Sequence, residues 1–238
     1  MENKQPKYHR VLLKLSGEAL SAGKDGILNF EFIQKTAAVI RKCQAEGVQV
    51  GVLCGAGNIW RGRQGGKMNH CRADHMGMLA TTINSLALQD TFLQEGLDAV
   101  VMTAVEMRAF ADLYSSRAAV ENLEAGKVVI FGCGLGSPFF STDTAAVLRA
   151  AEIGADVVLM AKNIDAIYSA DPKLDPNATR YEKLTYMEIL EKNLRALDLT
   201  ATTFCMENHI RCYAFGLADP ENIYRVVMGE RIGTEISV

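Results

Sequence analysis

No apolar run in this chain approaches the roughly 18 residues that a membrane-crossing helix needs. The polar opening MENKQPKYHR lacks the apolar stretch and small-residue cleavage site of a secretory signal, so a cytoplasmic location is expected. The six cysteines, at 43, 54, 71, 133, 205 and 212, include no C-x-x-C pair. Four Cys/His ligands cannot be drawn at customary zinc spacings, and reduced, mostly buried thiols are expected instead. There is no repeat, low-complexity tract, polylysine run or acidic tail. A net charge of −3 leaves no basic excess to hold nucleic acid. G-x-x-x-x-G-K-[ST] is missing, as are the H-R-D and D-F-G sets, which excludes Walker-type NTPases and protein kinases. What remains is 238 residues, 49% hydrophobic, enough for a large core in one domain or two fused lobes.

Short apolar runs alternate with helical spacing. Residues 11–15, 48–53, 99–102, 128–131, 156–160 and 211–215 read as strands. Residues 30–45, 72–93, 142–152, 187–194, 200–207 and 220–228 read as helices. This alternation predicts an α/β fold, a mostly parallel sheet covered on both faces. In such sheets ligands sit at the carboxyl ends of strands, so the loops after strands carry the information. Residues 168–181 hold two Asp-Pro pairs and are expected to form a turn-rich loop, a candidate flap.

Three of the strand-ending loops suit phosphate. In the first, Lys14 sits inside an apolar strand, where it is costly without an anionic partner, and Ser16 and Gly17 follow. A lysine reaching the surface or pairing with a carboxylate is the structural alternative. The second is Gly55-Ala56-Gly57-Asn58, a tight turn able to approach phosphate, with Arg61, Arg63, Lys67 and Arg72 and no acid as far as Ala73. A solvated basic loop would look the same. The third is Gly132-Cys133-Gly134-Leu135-Gly136-Ser137-Pro138, leading through Phe139, Phe140, Ser141 and Thr142 to Asp143 at a helix start. Asp143 could be a cap or first-turn acid, or could hold a lysine or a metal near phosphate.

In order along the chain, RVLLKLSGEAL, GNIWRG, ADHMGMLAT, FFSTDTAA, LRAAEIGADV, ADPKLDP, LDLTA and VVMGERIGT resemble the amino acid kinase superfamily, and within it the bacterial uridylate (UMP) kinases. The resemblance implies a single three-layer αβα sandwich over 1–238. Residues of about 8–155 would serve mainly the UMP site and dimer contacts, and about 156–238 mainly the ATP site. It implies transfer of the γ-phosphoryl group of ATP to UMP with Mg²⁺, within pyrimidine nucleotide biosynthesis.

By position, Lys14, Arg61, Asp143 and Asp198 would be catalytic. Lys14, Leu15, Ser16, Gly17, Gly57, Arg61, Lys162, Tyr168 and Asp171 would meet ATP. Ala56, Asp74, Leu135, Gly136, Ser137, Pro138, Phe139, Phe140, Ser141 and Thr142 would meet UMP, with Asp74 on the ribose. No metal ligand is assigned. Ala56 and Leu135 depart from the family's usual Gly and Thr. A carboxylate or carbamate kinase of the same fold would need an amino-acid loop in place of Asp74 and PFFSTD. A non-catalytic oxyanion binder should lack Lys14 or Arg61.

The resemblance also implies a homohexamer activated by GTP and inhibited by UTP. Independently, the helix from about 74 to 93 carries apolar residues on more than one side, which asks for a second partner surface. Met76, Met78 and Leu79 are expected in the helix core, and His70 and His75 at the surface or an interface. Asp98 and Asp156, which lead strands, are expected to be structural.

Overall fold

The computed structural model describes residues 5–21, 23, 26–60 and 66–238. In chain order the elements are β1 (Arg10–Leu15), a 3₁₀ turn (Gly17–Leu20), α1 (Phe30–Ala45), β2 (Gln49–Cys54), α2 (His70–Gln94), β3 (Ala99–Thr103), β4 (Asp112–Leu113) and α3 (Ser116–Glu124). There follow β5 (Val128–Gly132), α4 (Thr142–Glu152), β6 (Val157–Lys162), β7 (Ile167–Tyr168), β8 (Arg180–Tyr181), β9 (Lys183–Thr185) and α5 (Tyr186–Glu191). The last are α6 (Leu199–Glu207), β10 (Cys212–Gly216), α7 (Asn222–Val227) and β11 (Thr234–Ser237).

Nine strands form one sheet in the order β4-β3-β5-β2-β1-β6-β10-β11-β9. Every pairing is parallel except β10 with β11. Alternate residues of each strand feed different cores, because successive side chains leave a strand on opposite faces. Val11, Leu13 and Leu15 pack with Ile33 and Ile40 of α1, Leu88 and Phe92 of α2, and Val226 of α7. Leu12 faces the other way, with Leu123 of α3, Ala146 and Ala150 of α4, Ile189 of α5 and Ala201 of α6. The result is the expected three-layer αβα sandwich. Lys14 shares the parity of Leu12 and so points to the α4 side of the sheet. No helix among the described residues is long and apolar enough to cross a membrane.

Helices α1 and α4 begin where the sequence indicates because Asn29 and Ser141 cap them, each accepting from backbone N–H groups of the first turn. The segment read as a turn-rich loop is one, held at its base as a short hairpin. Its ends pair as antiparallel β7 and β8, with Ser169 N–H donating to the Thr179 carbonyl at 2.9 Å. Asp171 and Asp175 close turns inside it by accepting from the N–H groups two residues on. Thr234 of β11 ties the ribbon down by accepting from Ile167 N–H at 2.9 Å and donating to the Tyr181 carbonyl at 2.5 Å.

Helix α2 departs from expectation. Met76 and Leu79 are not core residues: they are 38% and 54% exposed, and Ile83 and Leu93 beside them are 46% and 49% exposed. The face that packs on the sheet is formed by Ala73, Ala80, Leu88 and Phe92 together with Thr81, Asn84 and Ser85. Asp156 is structural as expected, its carboxylate accepting from the N–H groups of His9 and Arg10 at the entry to β1.

Candidate active site

Three loops meet at the carboxyl ends of β1, β2 and β5. Leu15 is fully buried, and its carbonyl accepts from Gly55 N–H at 3.0 Å, which clamps the loop after β1 to the loop after β2. Gly17 then lies directly on the second loop. A Cβ at that position would be 2.3 Å from Gly57 N and 2.8 Å from the Gly55 oxygen, both backbone atoms that cannot swing away. Only glycine lets the backbones approach this closely. A Cβ on Gly55 would in turn meet Thr142 Oγ1 at 3.7 Å, which brings in the start of α4.

Lys14 and Asp143 join at this point. Lys14 Nζ lies 2.9 Å from Asp143 Oδ1, with the two side chains 13% and 21% exposed. The cap of α4 is Ser141, whose Oγ accepts from Asp143 N–H and Thr144 N–H at 3.0 and 3.1 Å. That leaves the Asp143 carboxylate free of capping duty and turned to the lysine. The Asp198 carboxylate accepts from the hydroxyls of Ser141 and Thr144, and from Ala201 N–H at 2.9 Å, capping α6. Asp198 therefore staples α6 to the first turn of α4 and supports the Asp143 backbone rather than Lys14 itself.

Beside this junction lies an open cleft with a cavity volume of about 120 Å³. Ala56, Asp74, Leu135, Ser137, Phe140, Ser141 and Thr142 line it together with Trp60, Ala73, Gly77, Met78, Thr81 and Gly134. Gly136, Pro138 and Phe139 belong to the same loop but not to the cleft wall. Asp74 Oδ2 accepts from Phe139 N–H at 2.7 Å and lies 3.1 Å from His70 Nδ1, while the His70 and Phe139 rings stack at 4.6 Å. Phe139 adopts a left-handed backbone, φ 71°, which a bulky residue tolerates only when neighbours hold it. The link of His70 to Asp74, and the roles of Trp60 and Thr81 in the wall, were not visible in the sequence. A helical i, i+4 spacing of His70 and Asp74 was the one available hint.

On the other side, Lys162 closes β6 next to Leu15 of β1, where Leu15 pairs with Ala161. Its Nζ donates to the Ala196 carbonyl. Burial pushes the Lys162 ammonium below its ordinary value, Asp143 opposes that shift, and Lys14 adds to it. Asn163 Nδ2 donates to Glu18 Oε2 at 2.8 Å, joining the loop after β6 to the 3₁₀ turn after β1. Ser16 caps that turn, accepting from Ala19 N–H at 3.2 Å. Tyr168 and Asp171 sit on the β7–β8 ribbon and make local contacts, Tyr168 with the Asp165 carboxylate at 3.0 Å and Asp171 with Lys173 N–H at 2.9 Å. Arg61, expected with Lys14 at the phosphates, lies outside the described residues, as does Arg63 of the basic loop.

A cation paired to an acid at the seam of three backbone loops, next to an open cleft, is an arrangement for holding anionic groups. A model of the amino acid kinase family matches residues 9–215, and the chain belongs to that family. The solved UMP kinases of Bacillus anthracis and Ureaplasma parvum are 34% and 35% identical to it, both with a TM-score of 0.93. The alignments cover 97% of this chain in both cases, and 96% and 99% of those chains. A uridylate kinase from Archaeoglobus fulgidus is 29% identical over 95% of this chain and 99% of its own, with a TM-score of 0.72.

Proposed function

We propose that this chain is a UMP kinase, moving the γ-phosphoryl group of ATP to the phosphate of UMP to give UDP and ADP. The observation that carries the reading is the Lys14–Asp143 pair set between two loops suited to phosphates, with Asp74 across the adjoining cleft. The acceptor phosphate is already anionic near neutral pH, so no general base is required. Catalysis then consists of aligning two anions and offsetting their repulsion. Lys14, with Arg61 from the neighbouring loop, supplies positive charge to the group in transfer. Asp143 holds the lysine in place without spending the helix cap. The Leu15–Gly17 backbone and Gly57 cradle ATP phosphates, and Lys162, Tyr168 and Asp171 serve the nucleotide on that side. Ala56, Asp74 and the segment 135–142 take UMP.

A single carboxylate beside a lysine suits a magnesium ion held chiefly by phosphates and water. Mg²⁺ entering with ATP would be reached through Asp143 and would neutralise phosphate charge. An acceptor panel of UMP, CMP, dUMP, N-acetylglutamate and carbamate in a coupled ADP-release assay tests the reading. UMP should be strongly preferred, and preference for a carboxylate or carbamate would overturn it.

We further infer that the chain works in the cytoplasm, in pyrimidine nucleotide biosynthesis, as a homohexamer activated by GTP and inhibited by UTP. The apolar row Met76, Leu79, Ile83 and Leu93 on the open face of α2 supports assembly, because a monomer gains nothing by leaving it in water. Light scattering at micromolar concentration should exceed the monomer mass. Initial rates at fixed UMP and ATP should rise with GTP and fall with UTP. A monomer, or rates insensitive to both, would remove the corresponding part.

A further inference from the structure

The sheet-facing side of α2 is polar where a core helix would ordinarily be apolar. Thr81, Thr82, Asn84, Ser85 and Thr91 are all at most 3% exposed. Buried polar groups are costly unless they are bonded. Thr82, Ser85 and Thr91 spend their hydroxyls on carbonyls of their own helix, at 3.1, 2.8 and 2.9 Å. Asn84 and Thr81 do not stop there. Asn84 Nδ2 donates to the Gly55 carbonyl at 2.8 Å. Its amide also pairs reciprocally with that of Asn58, at 2.9 Å in both directions, and Asn58 Nδ2 donates to the Ile27 carbonyl at 2.7 Å. Thr81 Oγ1 accepts from Cys133 N–H at 3.0 Å while donating to the Met78 carbonyl at 2.7 Å. Cys133 is in the left-handed region, φ 64°, and this bond helps to hold it there.

Gly55 opens the loop after β2, and Cys133 opens the loop after β5. One turn of one helix thus grips both. Each loop opens with small residues, Gly55-Ala56-Gly57 and Cys133-Gly134, which carry little side-chain chemistry of their own at the strand end. The Gly55 oxygen lies only 2.8 Å from where a Gly17 Cβ would be, so any shift of this carbonyl also reaches the loop after Lys14. We propose that Asn84 and Thr81 are positioning residues that set the donor-side and acceptor-side loops in register, Asn84 through Gly55 and Thr81 through Cys133. The proposal rests on the phosphoryl-transfer reading above. A misplacement of about 1 Å can cost about a hundredfold in rate, and a rigid helix is a sound common reference for both loops.

The test is a crossed kinetic signature. Asn84→Leu, similar in size but without a donor, should raise KM for ATP and lower kcat at least about tenfold, with KM for UMP rising less than KM for ATP because the Gly55 peptide also carries the Ala56 N–H. Thr81→Val, nearly isosteric, should raise KM for UMP at least about fivefold and leave KM for ATP within about twofold. A mere loss of folded molecules lowers apparent kcat and moves neither KM, so the crossing is not a by-product of instability. If Asn84→Leu does not fold, Asn58→Ala, which frees the Asn84 amide to turn, should give the ATP-side signature in smaller measure. Both KM values unmoved in the folded variants, or KM for ATP raised as much by Thr81→Val as by Asn84→Leu, would overturn the proposal. Failure of the unaltered protein to form UDP would be a different result, removing the functional reading and this proposal with it.

Discussion

Replacing Lys14 by alanine removes the charge that the site brings to the transferring group. At about 4 Å and an effective dielectric near 20, a unit charge pair interacts by about 4 kcal/mol. Loss of a single preorganised stabilising group elsewhere costs about 2.7–4 kcal/mol, or roughly 10²–10³ in kcat. The two routes agree, and kcat of Lys14→Ala should fall by two to three orders of magnitude. The structural cost is smaller. The Asp143 carboxylate loses its 2.9 Å partner but stays 21% exposed and keeps some access to water. An unpaired group of this kind costs about 1–3 kcal/mol. At roughly 2–4 °C per kcal/mol for a chain of this size, the melting temperature should drop by no more than about 12 °C. Purified variant is assayed by ADP release at saturating ATP and UMP, with a thermal melt on the same sample. Turnover within about threefold of the unaltered protein, in a variant that still melts cooperatively, would refute the assigned role of Lys14.

Three further outcomes follow from the geometry. Because Asp74 accepts hydrogen bonds at the cleft wall, UMP should exceed dUMP in kcat/KM by at least about tenfold, and Asp74→Ala should abolish that preference; equal use of both by the unaltered protein would contradict the ribose assignment. Gly17→Ala would put a methyl 2.3 Å from Gly57 N, and the forced backbone shift should cost about 1–3 kcal/mol in a denaturant melt and at least tenfold in kcat, whereas an unchanged variant would mean that the loops are not in contact. Burial pushes the Cys43 and Cys54 thiols up to about 12, so at pH 8 they remain protonated; with Cys133, Cys205 and Cys212 also buried, iodoacetamide on the native protein should modify Cys71 first, as read by peptide mass spectrometry.

The sequence was most readable where local chemistry and tertiary context agree. Helix α1 carries apolar Ile33, Ala37 and Ile40 at helical spacing behind an asparagine cap, and both its ends were predicted. Short elements escaped notice. Strand β4 has two exposed residues, β11 only Thr234 and Ile236 buried, and α3 only Ala119 and Leu123, too little pattern to distinguish from loop. At the site, Lys14 was conspicuous as a charge in an apolar strand and Asp143 as an acid at a helix start. Their pairing on one face of the sheet matches the suggestion that Asp143 could hold a lysine. Asn84, Thr81 and His70 gave no such signal. A Thr or Asn within a helix is unremarkable until its partner is known, and the partners of Asn84 and Thr81 stand 29 and 52 residues away. The exposed row on α2 was legible only as an excess of apolar residues. The sequence does not say which of them the sheet covers.

The central position of β1 has a consequence for the order in which the chain can be folded as it is made. One neighbour, β2, follows closely, with Arg10 reaching Gln49 39 residues on. The other side is closed by β6, and the first bond there, from Arg10 N–H to Asp156, spans 146 residues. At synthesis rates of about 5–20 residues per second, β1 waits on the order of ten seconds with its second edge unpaired. Val11, Leu12, Leu13 and Leu15 would make that edge a ready template for another nascent chain. Lys14 is the one charge among them, and natural sheets use a lysine in an open edge to discourage such pairing.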